Sequence, residues 1–145
     1  MEALSGETAI RKHEIDAASA SQDTVNTLYI GGGTPSVLPL SVLRDVVKSL
    51  SAAGISGPFR EFTMEVNPED IIEKGHEYVE GMLELGVNRV SMGVQSFDDG
   101  ILKWMNRRHN AANAVKAYEI LEDVGVRNIS IDLIFGLPQL SSALW

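Results

Sequence analysis

The chain has 145 residues and a formal net charge of −8, which argues against a nucleic-acid-binding surface because such surfaces are basic. No apolar run reaches the length of a membrane-spanning helix and no signal-peptide pattern is visible, so we expect a cytoplasmic protein without a transmembrane segment. The absence of cysteine excludes disulfides and iron–sulfur ligation by this chain, and the scattered histidines predict no metal site.

Helix and strand patterns alternate along the chain. Apolar residues at helical spacing predict helices at 3–20, Pro39–Ala53, Glu69–Leu85, Asp98–Met105 and Asn110–Val124. Short apolar or alternating runs predict strands at Thr27–Ile30, Phe59–Val66, Arg89–Val94 and Asn128–Phe135. This order predicts a single α/β domain over residues 1–145 with parallel strands and right-handed crossovers. A further helix is predicted to begin at residues 141–145.

The predicted strands are polar on one face and apolar on the other. The polar positions are Thr63, Glu65, Asn67, Ser91, Gly93, Gln95, Ser130 and Asp132. We expect helices to cover the opposite face, which carries Met64, Met92 and Leu133. Because buried carboxylates are costly without partners, the polar face suits the lumen of a barrel around a polar ligand. The pattern therefore favours a fragment of a TIM-like barrel, with four parallel strands and outer helices; a doubly wound open sheet is the alternative.

Polar groups follow several of the predicted strands, where ligands bind in parallel α/β folds. The glycines at 31–33 let backbone approach a ligand closely, although a glycine turn is often only structural. Glu65 and Asp132 can accept hydrogen bonds from ligand hydroxyls or an amine. Their alternative role is a salt bridge with Arg89 or Arg107.

Other residues near these strand ends have narrower predicted roles. Gln95 suits hydrogen bonding rather than acid–base chemistry. Arg107 can clamp a carboxylate, whereas Arg108 is expected to be a solvated loop charge. Tyr29 is expected to serve packing. Together, backbone carbonyls, an arginine and two acids would recognise a zwitterion that carries a ribose, and S-adenosylmethionine has all of these groups.

Five motifs in order resemble the radical S-adenosylmethionine enzymes of the oxygen-independent coproporphyrinogen III oxidase family. They are Gly31–Ser36, Glu65–Pro68, Gly93–Phe97, Asn106–His109 and Asp132–Pro138. The resemblance runs from about Arg11 to Trp145. Within that family, the segments Gln95–Phe97 and Arg108–Asn110 look more like the haem-chaperone branch than the classical oxidase.

The resemblance implies a partial (β/α)6 barrel that binds S-adenosylmethionine and a [4Fe-4S] cluster. The ligand-contacting positions that it carries over are Gly32, Gly33, Thr34, Glu65, Gln95, Arg107 and Asp132. In such enzymes the cluster donates an electron that cleaves the sulfonium and generates a radical. The oxidase uses that radical on a porphyrinogen, and the chaperone branch binds and delivers haem.

The chain departs from this family pattern in its cluster ligands. The family holds its cluster through three closely spaced cysteines after the first barrel strand, and this chain has no cysteine. We therefore expect an incomplete barrel core, without the first and last strands, that is inactive in radical chemistry and has no catalytic residue of its own. We also expect it to self-associate through open sheet edges. The alternatives are a haem carrier, with His109 as the first haem ligand to test, and a nucleotide-binding α/β module without radical chemistry.

Overall fold

The computed structural model describes residues 2–20 and 25–137, so the helix predicted to begin at 141–145 lies outside it. The helices within these ranges are α1 Glu2–Ile10, α2 Lys12–Ala20, α3 Leu40–Ala52, α4 Pro68–Glu84, α5 Asp99–Trp104 and α6 Ala111–Val124. A short 3₁₀ turn lies at Pro35–Val37. The strands are β1 Thr27–Ile30, β2 Glu61–Val66, β3 Arg89–Gln95 and β4 Ile129–Leu133.

The four strands form one parallel sheet in the order β1-β2-β3-β4. This confirms the predicted α/β sheet in sequential order. The register pairs Glu65 with Ser91 and Gly93 with Asp132. Polar residues from three strands therefore lie beside one another near the carboxyl edge of the sheet.

Helices α3, α4 and α6 cover the apolar face of β2 and β3. Met64 and Met92 are 0% and 1% exposed there, in a core that includes Met82 of α4 and Leu121 of α6. The same prediction is wrong for β4, because Leu133 is 43% exposed. None of the described helices covers that end of β4.

Several predicted boundaries also differ from the structure. The helix predicted at 3–20 is two helices, α1 and α2, which meet at Arg11. Helix α4 is interrupted at Gly75, whose φ of 65° and ψ of −163° are not helical. The second strand begins at Glu61, because the backbone before it is engaged by the loop that precedes β1: Arg60 N donates to Asn26 O at 2.8 Å.

The loop between α5 and α6 is held by contacts to both helices. Arg107 N donates to Leu102 O at 2.9 Å at the end of α5, and Asp98 caps the start of that helix, since its Oδ1 accepts a hydrogen bond from Ile101 N at 2.8 Å. Helix α6 begins with a reciprocal capping box between Asn110 and Asn113. Asp99 Oδ1 also accepts from Ala111 N at 2.8 Å, which ties the two helices together. The short segment between them, which contains Arg107, therefore has little freedom to move.

Candidate functional site

A cleft of about 220 Å³ lies at the carboxyl ends of the strands. Its lining residues are Gly33, Thr34, Glu65, Val66, Asn67, Ser91, Gly93, Gln95, Arg107 and Asp132. Six of the seven predicted ligand-contacting residues are among them. The seventh, Gly32, does not line the cleft, but its N–H donates to the cleft residue Glu65 at Oε2 at 3.2 Å. The predicted convergence on one cleft is therefore observed, whereas ligand binding there stays a prediction.

Glu65 is held by hydrogen bonds rather than by an ion pair. Its Oε1 accepts from the Tyr29 hydroxyl at 2.8 Å, and its Oε2 accepts from Gly32 N. The alternative of a salt bridge from Glu65 or Asp132 to Arg89 or Arg107 is wrong for the part of the chain that is described. Arg89 instead lies 3.5 Å from the Glu61 carboxylate, toward the amino ends of the strands.

The prediction that Tyr29 serves packing is wrong. Its side chain is 55% exposed, and its hydroxyl donates to Glu65. The hydrogen bond to Glu65 raises the pKa of the Tyr29 phenol above its ordinary value, and partial burial and the negative charges of Glu65 and Asp132 act in the same direction. An aromatic residue in a short apolar strand resembles a core residue, so the sequence pattern gave no signal for this role.

Asp132 is positioned by its neighbouring strand. The Ser91 hydroxyl donates to Asp132 Oδ2 at 2.8 Å, from β3 to β4. Among the described residues, Oδ1 has no hydrogen-bond partner. Because the side chain also lines the cleft, this oxygen is available to accept from a ligand hydroxyl.

Arg107 contributes the positive charge of the cleft. Its Nη2 donates to Asn67 Oδ1 at 2.9 Å and to Gly93 O at 3.0 Å. Its Nε is buried and has no hydrogen-bond partner within the described ranges. A buried donor without an acceptor costs free energy unless a bound group satisfies it. The guanidinium therefore lies ready for an anionic ligand group.

Gly93 keeps space open beside that guanidinium. A Cβ at this position would lie 2.8 Å from Gln95 Nε2 and 3.2 Å from Asn67 Oδ1. The first distance is shorter than ordinary non-bonded contacts allow. Any side chain at residue 93 would displace Gln95 and crowd the contact between Asn67 and Arg107.

Gln95 reaches the cleft through an irregularity at the end of β3. The register of β3 and β4 shifts between Gly93 and Gln95, and Gln95 has a φ of 70°. The left-handed region costs a residue with a side chain on the order of 1–3 kcal/mol. Bulges commonly redirect a side chain next to a site, and here the amide of Gln95 lines the cleft.

A second network lies beside the cleft and connects the loop after α5 to the start of α4. Arg108 lies 2.9 Å from the Asp70 carboxylate and 3.4 Å from that of Glu69, and its side chain is 59% exposed, so it is a solvated loop charge, as predicted, that also forms two ion pairs. The Ser36 hydroxyl donates to Asp70 at 2.6 Å and accepts from Asn67 N at 3.1 Å. This network fixes the positions of the strand-end loops relative to one another.

His109 belongs to the same network, and the structure does not support it as a haem ligand. Its side chain is 0% exposed. Its Nδ1 lies 2.8 Å from Glu69 Oε2, and its Nε2 lies 3.0 Å from the carbonyl oxygen of Val94. Both ring nitrogens are therefore occupied, and neither is available to coordinate an iron.

Across residues 2–20 and 25–137, no group of three or more histidine, cysteine, aspartate or glutamate side chains is arranged to bind a metal ion. The described helices include none that is both long enough and apolar enough to cross a membrane.

Known proteins resemble this chain in sequence and in fold. The model of the radical SAM superfamily matches residues 9–142. The heme chaperone HemW of Lactococcus lactis is 37% identical over 80% of this chain and 30% of its own length. The oxygen-independent coproporphyrinogen III oxidase of Paracoccus denitrificans is 31% identical over 86% of this chain and 27% of its own length.

The structural similarity covers nearly the whole chain. Coproporphyrinogen III oxidase (HemN) from Escherichia coli, described as a radical SAM enzyme, superposes with a TM-score of 0.83 at 26% identity, over 99% of this chain and 31% of that one. The archaeal Elp3 of Methanocaldococcus infernus has a TM-score of 0.68 at 26% identity, over 92% of this chain and 35% of that one. The chain spans less than a third of the length of the two curated relatives named above. The TIM-barrel-like fold predicted from the motifs is confirmed, and the chain belongs to the radical SAM superfamily.

Proposed function

We propose that the cleft at the carboxyl ends of β1–β4 binds S-adenosylmethionine. The observation that carries this proposal is Arg107 Nε, a buried donor that has no partner among the described residues, in a cleft lined by acids and amides. The α-carboxylate of S-adenosylmethionine would supply the missing acceptor, and Arg–carboxylate contacts are among the stronger hydrogen bonds in proteins.

The remaining groups of the ligand have partners of suitable chemistry in the same cleft. Backbone groups of Gly32, Gly33 and Thr34 would accept from the ammonium. The Glu65 and Asp132 carboxylates would accept from ribose hydroxyls, and the Gln95 amide would hydrogen-bond beside them. Because each of these side chains already lies at the cleft, binding would not require a large rearrangement.

The chain does not fit the iron–sulfur cluster that radical SAM proteins carry. There is no cysteine in the sequence, and iron–sulfur clusters are held mainly by thiolates. Bound S-adenosylmethionine would supply an activated sulfonium, but we assign no electron-transfer step to this chain. Its own residues bind and orient the nucleoside and the amino acid moiety.

We place this activity within porphyrin and haem metabolism, as part of a coproporphyrinogen III oxidase-like radical SAM protein. Two similar proteins support this assignment: the oxidase of Paracoccus denitrificans, at 31% sequence identity, and the Escherichia coli oxidase HemN, with a TM-score of 0.83. The heme chaperone HemW at 37% identity supports a second candidate, a haem-delivering protein of the same family. The partner would then be a porphyrinogen or haem. Titration with haem distinguishes the two candidate functions. The haem-delivering candidate predicts a shift of the Soret absorption when haem binds, and the oxidase-like candidate predicts no such shift for this chain.

Calorimetric titration tests the proposed ligand. We expect S-adenosylmethionine to bind with one site per chain and ATP to bind much more weakly, because ATP lacks the amino acid carboxylate and ammonium. Equal affinity for the two ligands would instead favour a general nucleotide-binding module. The absence of binding to S-adenosylmethionine would contradict the proposal.

A further inference from the structure

Tyr29 and Glu65 form a pair across β1 and β2 at the edge of the cleft. The phenol hydroxyl donates to Oε1 at 2.8 Å, and Gly32 N donates to Oε2 at 3.2 Å. Each oxygen of the carboxylate therefore has one donor, and the two donors come from the same strand and the loop that follows it. This arrangement fixes the rotation of the carboxylate as well as its position.

Gly31 is the residue that permits this pair. A Cβ at position 31 would lie 2.5 Å from Tyr29 Cε1 and 2.7 Å from Glu65 Oε1. Carbon atoms do not approach neighbours so closely, so any side chain there would separate the ring from the carboxylate. Gly31 does not have a positive φ. Position 31 therefore requires glycine because of this close approach, and not because of the backbone conformation of the turn.

The surroundings favour the protonated, donating form of the phenol. The hydrogen bond to Glu65 raises the pKa of Tyr29, as do partial burial and the charges of Glu65 and Asp132. The hydroxyl is protonated at neutral pH in any case, because the ordinary pKa of tyrosine is about 10. Tyr29 is 55% exposed, so packing alone does not explain the position of this side chain.

We infer that Tyr29 is a positioning residue for the ligand cleft, which orients the Glu65 carboxylate toward a bound ligand, and that Gly31 is needed for this contact. The inference rests on the proposed function, since the ligand in question is S-adenosylmethionine. Without the phenol, one oxygen of Glu65 loses its donor and the carboxylate rotates more freely. Binding then becomes weaker because the carboxylate must be ordered when the ligand arrives.

A double-mutant cycle tests the inference. We expect Tyr29→Phe to weaken S-adenosylmethionine binding by about three- to tenfold in calorimetric titration, since the lost bond involves a charged acceptor but is partly exposed. Tyr118→Phe is the matched control, because Tyr118 packs against the core from α6 and should leave the affinity unchanged. In a Glu65→Ala background, which removes the acceptor oxygen, the effect of Tyr29→Phe should largely disappear, which a role in packing alone does not predict.

Two further measurements test the inference, and the second of them does not require a ligand. Gly31→Ala should weaken binding as Tyr29→Phe does, whereas Gly6→Ala, where a Cβ meets open space, should not. In carbon-13 NMR of labelled tyrosine, the midpoint of the Tyr29 ring titration should fall in Glu65→Gln even without ligand. An unchanged midpoint would overturn the pairing of Tyr29 with Glu65. If the wild-type chain binds S-adenosylmethionine and Tyr29→Phe binds it with the same affinity, the positioning role of Tyr29 is wrong and the proposed function stands. If the wild-type chain does not bind S-adenosylmethionine, the proposed function is wrong.

Discussion

Arg107 and Asn67 join two loops across the candidate cleft: the guanidinium Nη2 donates to Asn67 Oδ1 at 2.9 Å. Asn67 follows β2, and Arg107 lies between α5 and α6. The same Nη2 donates to Gly93 O at 3.0 Å, so the arginine also contacts the end of β3. These contacts fix the guanidinium, and its buried Nε finds no partner in the part of the chain that the structure describes. The cleft is therefore arranged for an anionic group before any ligand is present.

Replacing Arg107 tests the role of this guanidinium. Arg107→Gln should weaken S-adenosylmethionine binding by about 1.5–3 kcal/mol, or roughly tenfold to a hundredfold, because a charged hydrogen bond to the ligand carboxylate is lost. Calorimetric titration measures the change. Lys103→Gln is the control, because it removes the same charge from an exposed position on α5. If the two variants weaken binding equally, the effect is one of net charge and the assigned contact is wrong.

Asp132 should contribute through its unoccupied carboxylate oxygen. We expect Asp132→Ala to reduce the binding free energy for S-adenosylmethionine by about 1–3 kcal/mol, because a hydrogen bond to a charged acceptor is removed. Asp123→Ala provides the comparison, since the Asp123 side chain is 72% exposed and lies on α6. An unchanged titration for Asp132→Ala would count against its role in binding.

The stability of the chain should fall at high pH through Tyr78. Burial and the charge of Asp70 raise the pKa of Tyr78 from 10.0 to about 12 in the folded state. The unfolded chain therefore loses this proton first, so stability is complete below pH 10 and decreases as the pH rises toward 12. The decrease should reach about 2 kcal/mol.

Urea unfolding at several pH values measures this slope. Tyr78→Phe should flatten the curve between pH 10 and 12. Lys74, whose ammonium lies 4.3 Å from the centre of the Tyr78 ring, is present in both proteins. Parallel curves for the wild type and Tyr78→Phe would show that Tyr78 does not cause the decrease.

The edge strand β4 should promote self-association. It lies at the end of the described sheet, and its side chains Ile131 and Leu133 are 40% and 43% exposed. Open strand edges and exposed apolar surface both favour pairing with other chains. We expect a dimer or larger species in sedimentation velocity at tens of micromolar, on the order of concentrations at which such surfaces associate.

Introducing a charge on the exposed face of β4 tests whether this strand causes the self-association. Ile131→Lys should shift the distribution toward the monomer. Val115→Lys, at a 50% exposed position on α6, should not. A wild-type chain that sediments only as a monomer would refute the expectation.

The sequence predicted the faces of the sheet better than it predicted the contacts made there. Alternation along the strands placed Glu65 and Asp132 on the polar face, because side chains on a strand alternate between its two faces. It also placed Met64 and Met92 in the core, and both are buried. It failed at Leu133, because strand periodicity identifies an apolar face without showing whether a helix covers it.

Contacts between residues distant in sequence were not predictable in the same way. Tyr29 lies 36 positions from Glu65, and His109 lies 40 positions from Glu69. Only the register of the sheet and the path of the loops bring these pairs together. The left-handed backbone of Gln95 was also missed, although Gly93 is a glycine inside a strand, which often marks a bulge.

The central claim is that the cleft binds S-adenosylmethionine through the strand-end residues, and NMR titration of nitrogen-15-labelled chain tests it most directly. The account predicts saturable shifts of the backbone amides of Gly32, Gly33, Gln95 and Asp132 and of the Arg107 Nε–H, which gains an acceptor. Adenosine at the same concentration, which has no anionic group, should leave the Nε–H signal unchanged. Shifts confined to other surfaces, or an Arg107 Nε–H that does not respond to S-adenosylmethionine, would contradict the account.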